Sequence, residues 1–177
     1  MTRNASLTLV LVSGLFGFRV VPLAAEECSP RHLAAQLGAT ATGKGNELVA
    51  VVVKNSGGAC TLQGSPDVRF LDSRGKDLNI NETKNSGSSL SYPLKGERFH
   101  LGAGEAGTFF LAIETTPGAK EVCPEVSQLA IHARHGHEAA GLDLKIRPCR
   151  TVDVLPFVPG ALTPAQLGPY QIKPYVR

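Results

Sequence analysis

An all-β domain built as an antiparallel β-sandwich is what this sequence predicts. Three observations carry that reading: apolar residues recur mostly with period two, short clusters of Gly, Asn, Asp and Ser separate the apolar runs, and no long helical stripe occurs. Leu33, Ala35, Leu37 and Ala39 alternate with His32, Ala34, Gln36 and Gly38, as in a first strand with one buried face. Leu48 to Val53 is continuously apolar and mostly β-branched, the pattern of a central strand covered on both sides. Asn55-Ser56-Gly57-Gly58 ends it with turn chemistry. Val68 to Leu71 forms the next strand, closed by the turn Asp72-Ser73-Arg74-Gly75.

Residues 79–97 are polar and rich in Asn, Ser and Gly, and read as a long loop with a short edge strand near Leu90 to Tyr92. Phe99 and Leu101 then alternate with Arg98 and His100, and Phe109, Leu111 and Ile113 alternate with Phe110, Ala112 and Glu114. Leu129, Ile131 and Ala133 alternate with Ala130, His132 and Arg134. Leu142, Leu144 and Ile146 alternate with Asp143, Lys145 and Arg147. Val152 to Leu155 adds a last strand or extends the one before it. About seven short strands with turns between them argue for a sandwich of immunoglobulin-like type. Beyond them Pro156, Pro159, Pro164, Pro169 and Pro174 disfavour regular pairing, so 156–177 reads as an extended tail lying along the domain or fraying. Tyr170 and Tyr175 interleave with those prolines, which would suit partner docking.

The N-terminal segment has the three parts of an export signal. Arg3 supplies a basic start, Ala5 to Phe18 an apolar run, and Leu23-Ala24-Ala25 small residues at which cleavage after Ala25 is expected. Arg19 interrupts the approach to that point, and the run is well short of the ~20 apolar residues a spanning helix needs. Cys28 follows Ala25-Glu26-Glu27, a context that does not favour lipidation. The expected organisation is a signal peptide at 1–25, a β-sandwich domain at 26–155 and a Pro-rich tail at 156–177, in a secreted or periplasmic protein with no stable membrane span after cleavage. Losing Arg3 and Arg19 leaves 16 of the 18 basic residues against 15 acidic ones, so the mature chain is nearly neutral. That balance offers nucleic acid no electrostatic footprint.

Cys28, Cys60, Cys123 and Cys149 form an even set behind the signal, as in a disulfide framework. Three pairings are open to four cysteines, and the strand order favours one. In an antiparallel hairpin the start of the first strand neighbours the end of the second. Cys28 precedes the first strand and Cys60 follows the second, while Cys123 and Cys149 flank the later hairpin in the same way. Cys28–Cys60 and Cys123–Cys149 are therefore expected, each worth roughly 3 kcal/mol in the chain-entropy view. A zinc site is the rival, but no CxxC pair exists and the spacings are wide.

The block Asn55-Ser56-Gly57-Gly58-Ala59-Cys60-Thr61-Leu62-Gln63-Gly64-Ser65-Pro66-Asp67-Val68, with Leu71-Asp72 and Gly75, resembles the signature of the domain-of-unknown-function 4232 family. Leu101-Gly102-Ala103-Gly104-Glu105-Ala106 resembles its second block, and the similarity spans roughly residues 28–155. Ser65 stands where an aromatic often precedes the proline, and the family's lipidation cysteine is missing. The resemblance implies an extracytoplasmic bacterial β-sandwich and no established activity.

Several motifs invite chemistry that their context withdraws. Gly102 to Gly107 spells GxGxxG, yet Thr108 to Ile113 continues as a strand and Glu105 would face the phosphates, so a Gly-rich hairpin turn is expected and no nucleotide cofactor. His132, His135 and His137 make the one metal-like cluster, with His132 pointing outward from its strand and the other two at a hairpin tip. These histidines are candidate ligands for zinc or copper; solvated surface residues are the plainer reading, and His32 and His100 share it. Gly64-Ser65-Pro66 reads as a turn before a strand and no GxSxG elbow occurs. Asp67, Asp72 and Asp77 flank turns without forming a paired-acid arrangement. Asn81-Glu82-Thr83 is a glycosylation sequon where the host glycosylates. The resulting expectation is a non-catalytic binding or structural module without a cofactor, meeting an envelope or extracellular protein or glycan. The alternative is a periplasmic metal-binding protein that uses the three histidines.

Overall fold

The computed structural model describes residues 26–43, 45–84, 95–118, 122–132 and 139–167. Among them the strands are β1 (Leu33–Gly43), β2 (Asn46–Asn55), β3 (Cys60–Leu62), β4 (Asp67–Leu71), β5 (Asn81–Lys84) and β6 (Phe99–Leu101). They continue with β7 (Ala106–Glu114), β8 (Val126–His132), β9 (Ala139–Ile146), β10 (Thr151–Val154) and β11 (Val158–Pro159). Two 3-10 turns, Pro30–His32 and Pro164–Leu167, are the helical elements there. The largest sheet runs β1-β2-β7-β10-β5, with β11 also on β7; β4-β8-β9 and β3-β6 form the others. Every pairing is antiparallel except β10 with β5.

The main core is made where the two larger sheets meet. Val49, Val51 and Val53 of β2 and Phe109, Leu111 and Ile113 of β7 pack with Phe70 of β4, Leu129 and Ile131 of β8, and Leu144 of β9. The expected both-face burial of β2 holds, because Leu48 and Ala50 lie in a second apolar cluster. β7 departs from its period-two reading: Phe110 and Ala112 are as buried as their inward neighbours. Their cover comes from the C-terminal segment, through Leu155, Val158 and Leu162.

Of the two dispositions expected of the tail, its first residues take the one along the domain: they follow β7 as an interrupted continuation of β10. Val154 pairs with Leu111, and Val158 pairs with Thr108. Pro156 has no N–H to give, so pairing lapses there. Phe157 instead donates its N–H to the Gly64 carbonyl at 2.9 Å and turns its ring into the main core, edge-on to Phe109 with centroids 5.3 Å apart. Thr108 then locks the segment down: its Oγ1 donates to the Gly160 carbonyl at 2.7 Å and accepts from the Leu162 N–H at 2.9 Å. The boundary drawn at 155 therefore falls inside packed structure.

Other departures have local causes. In β1 the inward face fails after Ala35, and Leu37 is 46 % exposed. A bulge shifts the register between Leu37 and Thr40. Gly38 permits the close approach there, since a Cβ on it would sit 3.0 Å from the Ala50 Cβ. β5 lies in what reads as loop, and β3 lies between the turns read at 55–58 and 64–66, where no strand is expected. The edge strand expected near 90–92 lies outside the described residues. The Gly-rich turn after β6 is real, with Gly104 at φ 79° and Gly102 N–H donating to the Glu105 carboxylate at 2.7 Å. It is not a hairpin, because β6 pairs with β3 while β7 belongs to the large sheet.

Both bridges form as the hairpin geometry requires. Cys28 is joined to Cys60 and Cys123 to Cys149. β1 pairs β2 from Leu33 opposite Asn55, and β8 pairs β9 from Val126 opposite Ile146, so each bridge closes the open end of a hairpin.

Candidate functional site

A recess ringed by polar side chains lies at the His132 end of β8. Its first wall is the N-terminal segment, held by the Cys28–Cys60 bridge and a parallel bridge of Glu27 with Thr61. The second is the turn from β3 to β4, where Gly64 at φ 67° lets Gln63, Ser65 and Pro66 face the recess before Asp67 opens β4. The cleft between them is about 60 Å³. Its lining is apolar from Pro30, Leu33, Leu62, Ile131 and Phe157, and polar from Glu27, Thr61, Gln63, Ser65, Asp67 and His132.

Asp67 and His132 are direct cross-strand partners in the β4–β8 ladder. Neighbouring charges have already claimed part of the polar lining. The Asp67 carboxylate is ion-paired with the Lys84 ammonium, and Arg98 donates from Nε to the Gln63 Oε1 at 3.0 Å. His132 is different. Its strand parity is outward, as read from the sequence, yet the ring is half-buried and Nε2 is sealed from solvent with no hydrogen-bond partner among the described residues. A buried polar nitrogen left bare is costly unless something fills the space beside it. The recess is large enough for water molecules or the small polar end of a ligand.

Ser65, Asp67 and His132 share this cleft, and their residue types are those of a nucleophile relay. They are not wired as one: Nε2 has no partner among the described residues, and the aspartate is turned to Lys84. Of the metal candidates, His132 is the one the structure describes; His135 and His137 lie outside the described residues. Among the described residues no group of three or more His, Cys, Asp or Glu side chains is placed to hold a metal ion. His32 and His100 are exposed, as expected.

The carboxylates that flank turns have structural work. Asp72 Oδ1 accepts the N–H groups of Lys76 at 2.9 Å and Arg74 at 2.8 Å, and those bonds, with the Arg74 charge, hold its carboxyl below its ordinary value. Asp77 accepts from the Asn79 N–H at 3.0 Å. Glu82 on β5 goes the other way: burial pushes its carboxyl up, and Asp67 and Asp77 add to the effect against Lys84. Asn81, the sequon residue, sits exposed on the edge strand β5, with Nδ2 donating to Thr151 Oγ1 at 3.3 Å.

Sequence reasoning missed the cleft because its parts are far apart in the chain. Thr61, Gln63 and Phe157 carry no signal of their own, although the Cys60-to-Val68 block that bears the family resemblance supplies one whole wall.

The fold and its bridges define an all-β, disulfide-stapled domain. No helix among the described residues is long and apolar enough to cross a membrane, and the two disulfides fit an oxidising compartment outside the cytoplasm. The chain belongs to the family described as a domain of unknown function, DUF4232, whose model matches residues 28–157. That match ends on Phe157, the residue whose ring enters the core. Neither the curated proteins nor the solved structures contain a match to this chain.

Proposed function

We propose that this protein is a secreted or periplasmic, non-catalytic module of immunoglobulin-like sandwich type, which binds a protein or glycan partner in the cell envelope or extracellular space. The sandwich reading draws on two largely antiparallel sheets sharing one core, and the location on the disulfides and the signal-like N-terminus. The observation that carries binding is the buried Nε2 of His132, without a partner among the described residues, beside a cleft lined by both apolar and polar side chains. On this reading the His132 ring turns on binding to bring Nε2 to a small polar group of the partner, whose apolar part meets the apolar lining.

The test is an NMR screen of monosaccharides and short peptides against the mature domain, repeated on His132→Phe. Ligands that shift cleft resonances in the wild type and not in the variant support the reading. Turnover of any ester, amide or glycoside, abolished by substituting Ser65, Asp67 or His132, would make the protein an enzyme instead. The same nitrogen favours a second reading, a metal-binding protein that recruits His132, His135 and His137. Calorimetry with zinc and with copper decides it: binding no tighter than millimolar removes that role.

A further inference from the structure

The two disulfides stand in unlike surroundings. Cys28 and Cys60 are 7 % and 8 % exposed and belong to the main apolar core, each reaching only the wall of a smaller recess. Cys123 and Cys149 lie at the other end of β8, half-buried and outside both apolar clusters. They line an open groove of about 740 Å³ with Thr115, Pro117, Lys145 and Arg147. Beside Cys123, Val122 is 92 % exposed, an apolar side chain presented to solvent at the groove's edge. At Cys149 the Thr115 carbonyl oxygen stands 3.0 Å from Sγ, and its partial negative charge opposes an approaching thiolate.

Thiol–disulfide exchange requires a thiolate to reach one sulfur of the bridge, so access decides which bridge reacts. We propose that Cys123–Cys149 is a thiol–disulfide exchange site, attacked at Cys123 by a dithiol partner, and that Cys28–Cys60 is a closed structural bridge. One thiolate of the dithiol bonds to Cys123 Sγ as the S–S bond breaks, and Cys149 leaves as a thiolate that takes up a proton. The second thiol then attacks its own partner sulfur in the mixed disulfide and releases Cys123 as a thiol. Two electrons and two protons pass from the dithiol, now a disulfide, to the protein.

The fold can survive this step. The β8–β9 ladder begins with Val126 opposite Ile146, both in the core. Arg147 pairs with Glu125 at 2.7 Å, and the Cys149 N–H donates to the Glu114 carbonyl at 2.8 Å, so the hairpin end is held without the bridge. Exposed Val122 and the groove offer an oxidoreductase an apolar foothold next to the reactive sulfur.

The experiment titrates the native chain with dithiothreitol, alkylates the thiols released and locates them by peptide mass spectrometry. Cys123 and Cys149 are expected to appear at a reductant concentration at least ~10-fold below that which opens Cys28–Cys60, with near-native circular dichroism between the two steps. Simultaneous opening, or Cys28–Cys60 opening first, overturns the proposal. The site of attack is read by treating the wild type with a limiting monothiol, quenching with acid and mapping which cysteine carries the mixed disulfide. A mixed disulfide on Cys123 supports the assignment; one on Cys149 overturns it.

Discussion

Asn55 is the most exacting position in the fold, and replacing it gives the sharpest test of the structure. The residue is fully buried at the end of β2. Its Nδ2 donates to the carbonyls of Gly58 at 2.8 Å and Leu101 at 3.0 Å, with Gly102 at 3.2 Å, and its Oδ1 accepts the Gly57 N–H at 2.9 Å. Its backbone reaches the same Gly-rich turn, donating to the Glu105 carbonyl at 2.9 Å and accepting the Gly104 N–H at 2.7 Å. One side chain therefore ties the turn that follows β2 to the turn that precedes β7. In Asn55→Ala three well-formed side-chain bonds are lost, at about 1 kcal/mol each, and the buried Leu101 carbonyl loses a donor. A loss of about 3 kcal/mol is expected, a large share of the ~5–15 kcal/mol available to a domain. It would lower the melting temperature by roughly 10 °C. Asn55→Asp should be worse, because a charged oxygen would face carbonyl oxygens where an amide now donates. The assay is urea unfolding with both disulfides intact, and Asn81→Ala, at an exposed single bond, is the control expected to stay within about 0.5 kcal/mol. A loss below about 1 kcal/mol in Asn55→Ala would refute the reasoning, since it would mean that the turns hold each other without the amide.

Three further outcomes follow from the same interactions. Phe157→Ala should cost about 3–5 kcal/mol in urea unfolding, because it removes a core ring from a segment that reads as tail; a cost near zero would detach that segment from the core. Thr108→Val should cost about 2 kcal/mol, and hydrogen exchange at Leu162 should quicken before exchange in β2, since one hydroxyl serves both the Gly160 carbonyl and the Leu162 N–H. For Glu82, burial raises the folded-state carboxyl above its ordinary 4.5, so the folded chain holds that proton more tightly than the unfolded one. Stability from this group is then fully present below 4.5 and is lost as pH rises through the raised value. Glu82→Gln should be more stable than wild type at neutral pH and match it in acid; unfolding curves that differ equally at both pH values would contradict this.

Much of the architecture was legible because it is written locally. Alternation in β8 and β9, the apolar run of β2 and the turn residues at Asn55 to Gly58 and Asp72 to Gly75 each act within a few residues. Hairpin order alone was enough to pair the cysteines, since antiparallel neighbours bring particular chain ends together. β5 was illegible for the opposite reason. Asn81-Glu82-Thr83-Lys84 has no apolar face, and it is a strand because Thr151 to Val154, far away in the chain, offers it a parallel edge. The alternation in β1 was readable but misleading after Ala35, where Gly38 and the bulge rotate the face.

The sequence by itself determined the class of protein: a β-rich, disulfide-bridged domain of the family its Cys60 block resembles. Period two, turn chemistry and cysteine order are properties of short segments, and they survive without knowledge of their neighbours. Only the tertiary structure decided what covers Phe110 and Ala112, what leaves His132 Nε2 without a partner among the described residues, and which bridge is the more exposed. Each of those is a relation between segments separated along the chain. Burial is set by whatever packs on a residue, and here a proline-broken strand does the covering.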